Sequence, residues 1–217
     1  KMKVGTCLNP LHTALAVYGC LLGNTSIAAE MGDADLKALV EQIAAESLPV
    51  VEDPGILSPR AFIDEVLHER FPNPAIPDTP QRIAADTSQK LPVRYGGTLR
   101  RYARQSEQAL AGLEFAPLVF AGWCRYLLGV DDRGNAMPVS PDPMLPQLQA
   151  HLKGIEVGRP DSLAGQLRPI LSNAALFGVD LYAAGLGERT EEMFRDMLAG
   201  PGAVRATLHR NCACKQP

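Results

Sequence analysis

The sequence predicts an all-α fold, a multi-helical single domain over residues 1–217, and three observations carry that reading. Apolar residues recur at three- and four-residue spacing through most of the chain. Residues that open helices, and glycines or prolines that close them, stand at the ends of those runs. Period-two alternation of β-branched and aromatic side chains, the mark of a strand, is nearly absent. A chain this long buries roughly 70% of the surface it exposes when unfolded, enough for one sizeable core.

The elements follow in order. Asn9-Pro10 opens the first helix, with Asn9 as N-cap and Pro10 as first helical residue, so His12 falls at the third position. Leu36, Leu39, Val40, Ile43 and Ala44 form the apolar stripe of a helix begun by Asp33 or Asp35 and stopped at Pro49. Ser58-Pro59 opens another, carrying Phe62, Ile63, Val66 and Leu67. Phe71-Pro72-Asn73-Pro74, with Pro77 after it, is an extended linker, because each residue before a proline is pushed out of the helical region. Thr79-Pro80 repeats the cap-then-proline opening. A long helix is expected from about Pro92 to Leu113, and another from Pro117 to Leu128, ended by Gly129. Residues Asp131 to Asn135 make a turn, and the prolines from 138 to 146 a loop. Three shorter helices are expected near Ser162 to Leu176, Glu188 to Leu198 and Gly202 to His209. There is no internal repeat and no low-complexity tract.

Composition excludes several classes of function. Lys and Arg total 21 against 24 Asp and Glu, a net charge of -3, which argues against the clustered basic face that nucleic acid or a membrane surface requires. An apolar content of 46% at so low a net charge excludes disorder. Ala14 to Leu22 is too short to span a bilayer and follows no secretory n-region, so a cytoplasmic protein is expected. Cys7, Cys20, Cys124, Cys212 and Cys214 lack metal-ligand spacing and read as reduced thiols, small buried hydrophobes plus a frayed tail. Asn24-Thr25-Ser26 would be a glycosylation acceptor only in a secreted chain. Gly185-Leu186-Gly187-Glu188-Arg189-Thr190 imitates a dinucleotide fingerprint, but Thr190 replaces the third glycine and no acid lies about 20 residues on. Its glutamates suit a helix dipole and would repel a pyrophosphate.

Two clusters could carry chemistry. In the first, Lys3, Asn9 and His12 surround one helix start. Asn9 can cap with its carbonyl oxygen while its NH₂ donates to a ligand oxygen, and the helix N-terminus disfavours a charged His12. In the second, Arg82, Lys90 and Arg94 place three cations within thirteen residues. Arg82 and Asp86, four apart, are spaced to pair on a helix surface.

The residues resemble a known family. Leu8-Asn9-Pro10-Leu11-His12-Thr13-Ala14-Leu15-Ala16, then Gly19 to Gly23, is similar to the start of the C-terminal domain of the long-chain mannitol dehydrogenases. Arg70-Phe71-Pro72-Asn73-Pro74, Asp78-Thr79, Arg82-Ile83-Ala84, Asp86 and Ser88-Gln89-Lys90-Leu91-Pro92 match in the same order. So do Gly178-Val179-Asp180-Leu181 and Gly200-Pro201-Gly202-Ala203-Val204-Arg205. That family includes mannitol 2-dehydrogenase, fructuronate reductase (D-mannonate oxidoreductase) and tagaturonate reductase.

The resemblance implies a helical domain like the C-terminal domain of 6-phosphogluconate dehydrogenase, working beside an N-terminal Rossmann domain that binds NAD or NADP, without a metal. It implies Lys3 as general acid/base, Asn9 as oxyanion donor and His12 as a partner of substrate hydroxyls. Arg82 and Lys90 match substrate-binding positions. With Arg94 they offer the fork and point charge a sugar-acid carboxylate wants, and the stretch from Ser88 to Arg94 is closest to the fructuronate reductase pattern. Six positions separate Lys3 from Asn9, one more than the family spacing, so a bulge absorbs the extra residue or Lys1 is the acid/base. No strand and Gly-rich turn precede Lys1, so the chain is expected to be the substrate-binding and catalytic part of a longer enzyme, inactive by itself. A polyol (mannitol) 2-dehydrogenase domain and a non-catalytic helical interaction or dimerisation module are the alternatives.

Overall fold

A computed structural model of the chain describes residues 4–51, 55 and 58–213. Among them the fold is all helical, the only β-pairing being two isolated bridges, Val130 with Ala136 and Glu156 with Arg159. The helices are α1 (Asn9–Leu22), α2 (Ile27–Glu30), α3 (Ala34–Ser47), α4 (Pro59–Glu65), α5 (Pro80–Ala84), α6 (Thr87–Arg94) and α7 (Gly96–Gln105). They continue as α8 (Glu107–Ala111), α9 (Phe115–Tyr126), α10 (Leu145–His151), α11 (Arg168–Leu171), α12 (Ala174–Phe177), α13 (Gly187–Met197) and α14 (Ala203–Ala213).

Two helices are buried on every side, and they make the core. Every residue of α1 from Pro10 to Leu21 is buried, and so is every residue of α9. They touch where Gly122 faces the Tyr18 ring; a Cβ there would lie 2.7 Å from Tyr18 Cζ. Tyr18 closes the contact by donating to the Leu118 carbonyl at 2.8 Å, which satisfies a buried hydroxyl. Around this pair, α3 and α5 pack on α1, α13 on α9, and α14 on α3. Arg205 of α14 grips Asp33 and Asp35 at the start of α3.

Local signals set many helix starts. Asp33 accepts from the amides of Asp35 and Leu36, Ser58 from Ala61, and Thr79 from Arg82. Other starts are capped from far along the chain. Glu46 of α3 accepts from the amides of Glu114, Phe115 and Ala116 at the head of α9. Asp142 takes the Ser88 amide at the head of α6, and Asp132 takes those of Val204 and Arg205 in α14. Arg125, buried within α9, is satisfied by the carbonyls of Met197, Val130 and Asp131. Cys20, Cys124 and Cys212 are free thiols and buried, Cys7 is buried, and Cys214 lies outside the described residues.

Three expectations need correction. The single helix expected from Pro92 to Leu113 is three. Pro92 sits inside α6, where it forfeits an amide bond, and α6 ends two residues later. Ser106 then turns extended, and its hydroxyl caps α8. The run near Ser162 to Leu176 is likewise cut into a 3₁₀ turn (Pro160–Ser162), α11 and α12, because Gly165 is left-handed and Asn173 caps anew. Within the proline-rich loop, Pro146 stands in the first turn of α10, the position where its missing N–H costs nothing.

Candidate functional site

The expected site gathers at the start of α1, the loop before α5, and α6. Lys3 and its alternative Lys1 lie outside the described residues. The chain enters α1 through a π-helical turn, Val4–Leu8, so Leu8 is already helical at φ −98 and ψ −50. Asn9 is therefore the first residue of α1 and not its N-cap, a correction to the expected opening. A π turn accommodates one residue more than an α turn. The Asn9 carbonyl accepts from Thr13 Oγ1 at 3.0 Å and Arg94 Nη1 at 3.4 Å. Its side-chain amide is uncommitted among the described residues.

His12 lies one helical turn further on, 8% exposed, with its ring 5.3 Å from that of Phe71. Its Nε2 is 3.3 Å from Asp78 Oδ2, yet off the line a hydrogen bond requires, so Nε2 is sealed and unsatisfied. Burial chiefly, then the positive charges of Arg94, Arg70, Arg82 and Lys90, push the imidazole pKa down to about 4. His12 is thus neutral near pH 7, but burial and neighbouring cations dominate where the sequence reading invoked the helix terminus.

Arg82 pairs with Asp78 and not with Asp86. The reason is local: Ala85 and Asp86 leave the helical region, Asp86 at φ 53, so residues 82 and 86 do not share a helix face. The Asp86 carbonyl instead receives the amides of Gln89 and Lys90. Lys90 Nζ donates to the carbonyls of Ile83, at 3.0 Å, and Ala85, the frayed end of α5. Burial first and Arg94 second lower its pKa. Arg94 donates through Nη1 to Thr13 Oγ1 at 2.6 Å, so part of its fork is spent on holding α1. Tyr95 adds a second tie, its hydroxyl donating to the Pro10 carbonyl at 2.8 Å.

His12 is therefore joined to Asp78 and Arg82, Arg94 to Asn9 and Thr13, and Lys90 to the turn between α5 and α6. Asp78, Arg70 and Thr13 stand in blocks that match the family but were given no role from sequence. Asp78 stands four residues before Arg82, the one signal that could have marked it.

The Gly185–Thr190 loop does not fit a pyrophosphate. Gly187 starts α13 with its amide donating to the Leu181 carbonyl, and a Cβ at that position would strike the Tyr182 ring. Glu191 holds the Tyr182 hydroxyl, and Glu188 and Glu192 stand beside it. Among the described residues, no helix is long and apolar enough to cross a membrane, and no three His, Cys, Asp or Glu side chains converge as metal ligands.

The described residues thus form an all-helical body that holds a neutral histidine among cations. The chain belongs to the mannitol dehydrogenase C-terminal domain family, whose model matches residues 1–192. It is 55% identical over 208 residues to a D-mannonate oxidoreductase of Thermotoga maritima, covering 96% of this chain and 39% of that protein. A mannitol 2-dehydrogenase of Emericella nidulans is 36% identical over 183 residues, covering 80% of this chain and 32% of its own length. Among solved structures, Pseudomonas fluorescens mannitol 2-dehydrogenase in a ternary complex with NAD and D-mannitol superposes with a TM-score of 0.81 at 25% identity. That match takes in 100% of this chain and 41% of the other. The chain thus spans 32% to 41% of the length of these relatives.

Proposed function

We propose that residues 1–217 are the substrate-binding and catalytic C-terminal domain of an NAD- or NADP-dependent oxidoreductase. It interconverts a secondary alcohol and a ketone on a sugar acid of the fructuronate/D-mannonate type. The observation that carries this reading is the charge around His12: four cations, Arg94, Arg70, Arg82 and Lys90, against one carboxylate in contact, Asp78. Such an excess suits an anionic substrate. The relative named D-mannonate oxidoreductase, at 55% identity, supports the same class.

The nicotinamide would exchange the hydride, and its nucleotide grip is assigned to a Rossmann domain, since the Gly185–Thr190 loop does not fit. This chain's residues tend the reacting oxygen and the rest of the sugar. The uncommitted Asn9 amide donates to the oxygen as negative charge grows there, an interaction stronger in the transition state than in the ketone. Lys3 supplies or takes the proton on that oxygen. Neutral His12 hydrogen-bonds a substrate hydroxyl, and Arg82 and Lys90 hold the carboxylate end. The free, buried Cys20, Cys124 and Cys212 accord with a reducing, cytoplasmic setting. Alone, the chain is expected to be inactive, because nothing among its described residues fixes a reductant against the substrate.

A second reading, a polyol 2-dehydrogenase domain, is favoured by the likeness to the mannitol-bound structure. The full-length enzyme carrying this chain decides between them. Arg82→Ala is expected to lower kcat/KM on fructuronate or tagaturonate by about 10- to 100-fold more than on fructose, the weight of one charge-assisted hydrogen bond. Equal losses on both substrates would remove the carboxylate role and favour the polyol reading.

A further inference from the structure

The two nitrogens of the His12 ring have different surroundings. Nε2 is sealed from solvent, 3.3 Å from Asp78 Oδ2, and has no hydrogen-bond partner. The residue still keeps 8% of its surface open, none of it at Nε2. Asp78 is itself held on three sides. Its other carboxylate oxygen pairs with Arg82, its amide donates to the Ile76 carbonyl at 2.8 Å, and its carbonyl receives the Ile27 amide at 3.0 Å. Phe71 lies against the ring and Pro80 against α1, so the loop that carries Asp78 is packed onto the histidine.

A carboxylate offers only lone pairs, so a bare Nε2 lone pair facing it would be repelled, whereas an Nε2–H would be attracted. The geometry points to Asp78 as the positioning residue of His12: it holds the ring in the Nε2–H tautomer and leaves the Nδ1 lone pair to accept a hydroxyl hydrogen of the substrate. The identity of that substrate rests on the function proposed above; the tautomer does not. A neutral imidazole has one N–H, and the atom it occupies decides whether the ring shows a ligand a donor or an acceptor. Burial, with the surrounding cations, keeps the ring neutral, and the carboxylate then selects between its two neutral forms. Arg82 serves from behind by occupying the second carboxylate oxygen, so that Oδ2 stays turned to the ring. A sugar acid presents several hydroxyls, each able to donate, and an acceptor at Nδ1 orients one of them.

The test has a readout separate from turnover. In the full-length enzyme with ¹⁵N-labelled histidine, the His12 signals, identified by their loss in His12→Asn, are expected to show a protonated Nε2 and an unprotonated Nδ1 near neutral pH. In Asp78→Asn, whose amide can turn its NH₂ to the ring, the proton is expected to move to Nδ1 or to be shared. The same variant should lose up to about 10-fold in kcat/KM, the weight of one neutral hydrogen bond. Asp78→Glu, which keeps the carboxylate, is expected to keep the Nε2–H signature. A wild-type ring protonated at Nδ1, or an unchanged tautomer in Asp78→Asn, would overturn the assignment. If Asp78→Asn does not fold, the wild-type spectrum decides by itself. An Nε2–H ring in an enzyme that turns over no hexuronate would sink the proposed substrate and leave the role of Asp78 standing.

Discussion

A Cβ on residue 19 would stand inside the Glu30 carboxyl, so Gly19 of α1 and Glu30 of α2 divide a space that admits one side chain. Pro80 of α5 closes the same space, 2.8 Å from where that Cβ would lie. Gly19→Ala must therefore displace a buried carboxyl and the proline that seats α5. A cost of about 1–3 kcal/mol is expected, as for other overpacked cores. It would show in urea as a lower midpoint at unchanged m-value.

Glu30 also predicts a pH dependence. Both carboxyl oxygens are buried without partners, and burial, then the charge of Asp33, raises its pKa to about 9. The folded chain therefore binds this proton more tightly than the unfolded chain does. The stability linked to it is complete below the ordinary value of 4.5 and falls as pH rises, until the folded group ionises at about 9. The slope is at most about 1.4 kcal/mol per pH unit. Urea melts at pH 6 and pH 8 are expected to show this decline, and Glu30→Gln should flatten it.

His12 runs the other way. Its folded pKa of about 4 lies below the ordinary 6.5, so the unfolded chain binds that proton more readily. Stability linked to His12 is fully present above 6.5 and is lost as pH falls toward 4. Between 4.5 and 6.5 this opposes the Glu30 slope, so in His12→Gln melts over that range should lose the His12 share and fall more steeply as pH rises. An unchanged acid slope would show that His12 is not held neutral.

Arg94 is expected to behave unlike Arg82. It gives Nη1 to Thr13 Oγ1 and the Asn9 carbonyl, and Arg94→Ala removes both bonds at the head of α1. A loss of about 1.5–3 kcal/mol in stability is expected, the range for hydrogen bonds to a charged group. Turnover of hexuronate and neutral ketose should fall together, because the Asn9 end of the site loosens for both. A loss confined to hexuronate, with stability intact, would return Arg94 to the carboxylate role read from sequence.

What the sequence made legible divides by distance along the chain. Asp33, Ser58 and Thr79 cap amides two or three residues away, so their chemistry is readable locally. Asp142 reaches Ser88 across 54 residues and Asp132 reaches Val204 across 72, and no local pattern signals such a cap. Asn9 misled because Asn-Pro is a good helix opening wherever it stands, and a preceding π turn has no compositional mark. The site follows the same division. Its cations were visible as a cluster, whereas the contact of Asp78 with His12 and the tie from Arg94 to Thr13, 81 residues apart, exist only once α5 and α6 lie on α1.

The clasp of Glu46 on the head of α9 bears on the order of assembly. The three amides it receives lie 68 to 70 residues further along the chain, and they stay wet until α3 arrives. Closing so long a loop costs chain entropy before any contact returns it, so the central helix cannot complete its first turn early. Helices α3 and α9 should then open and close as one cooperative unit. In hydrogen exchange, the amides of Glu114, Phe115 and Ala116 would share the protection of Val40 and Ile43 in α3, and Glu46→Gln would release all five together.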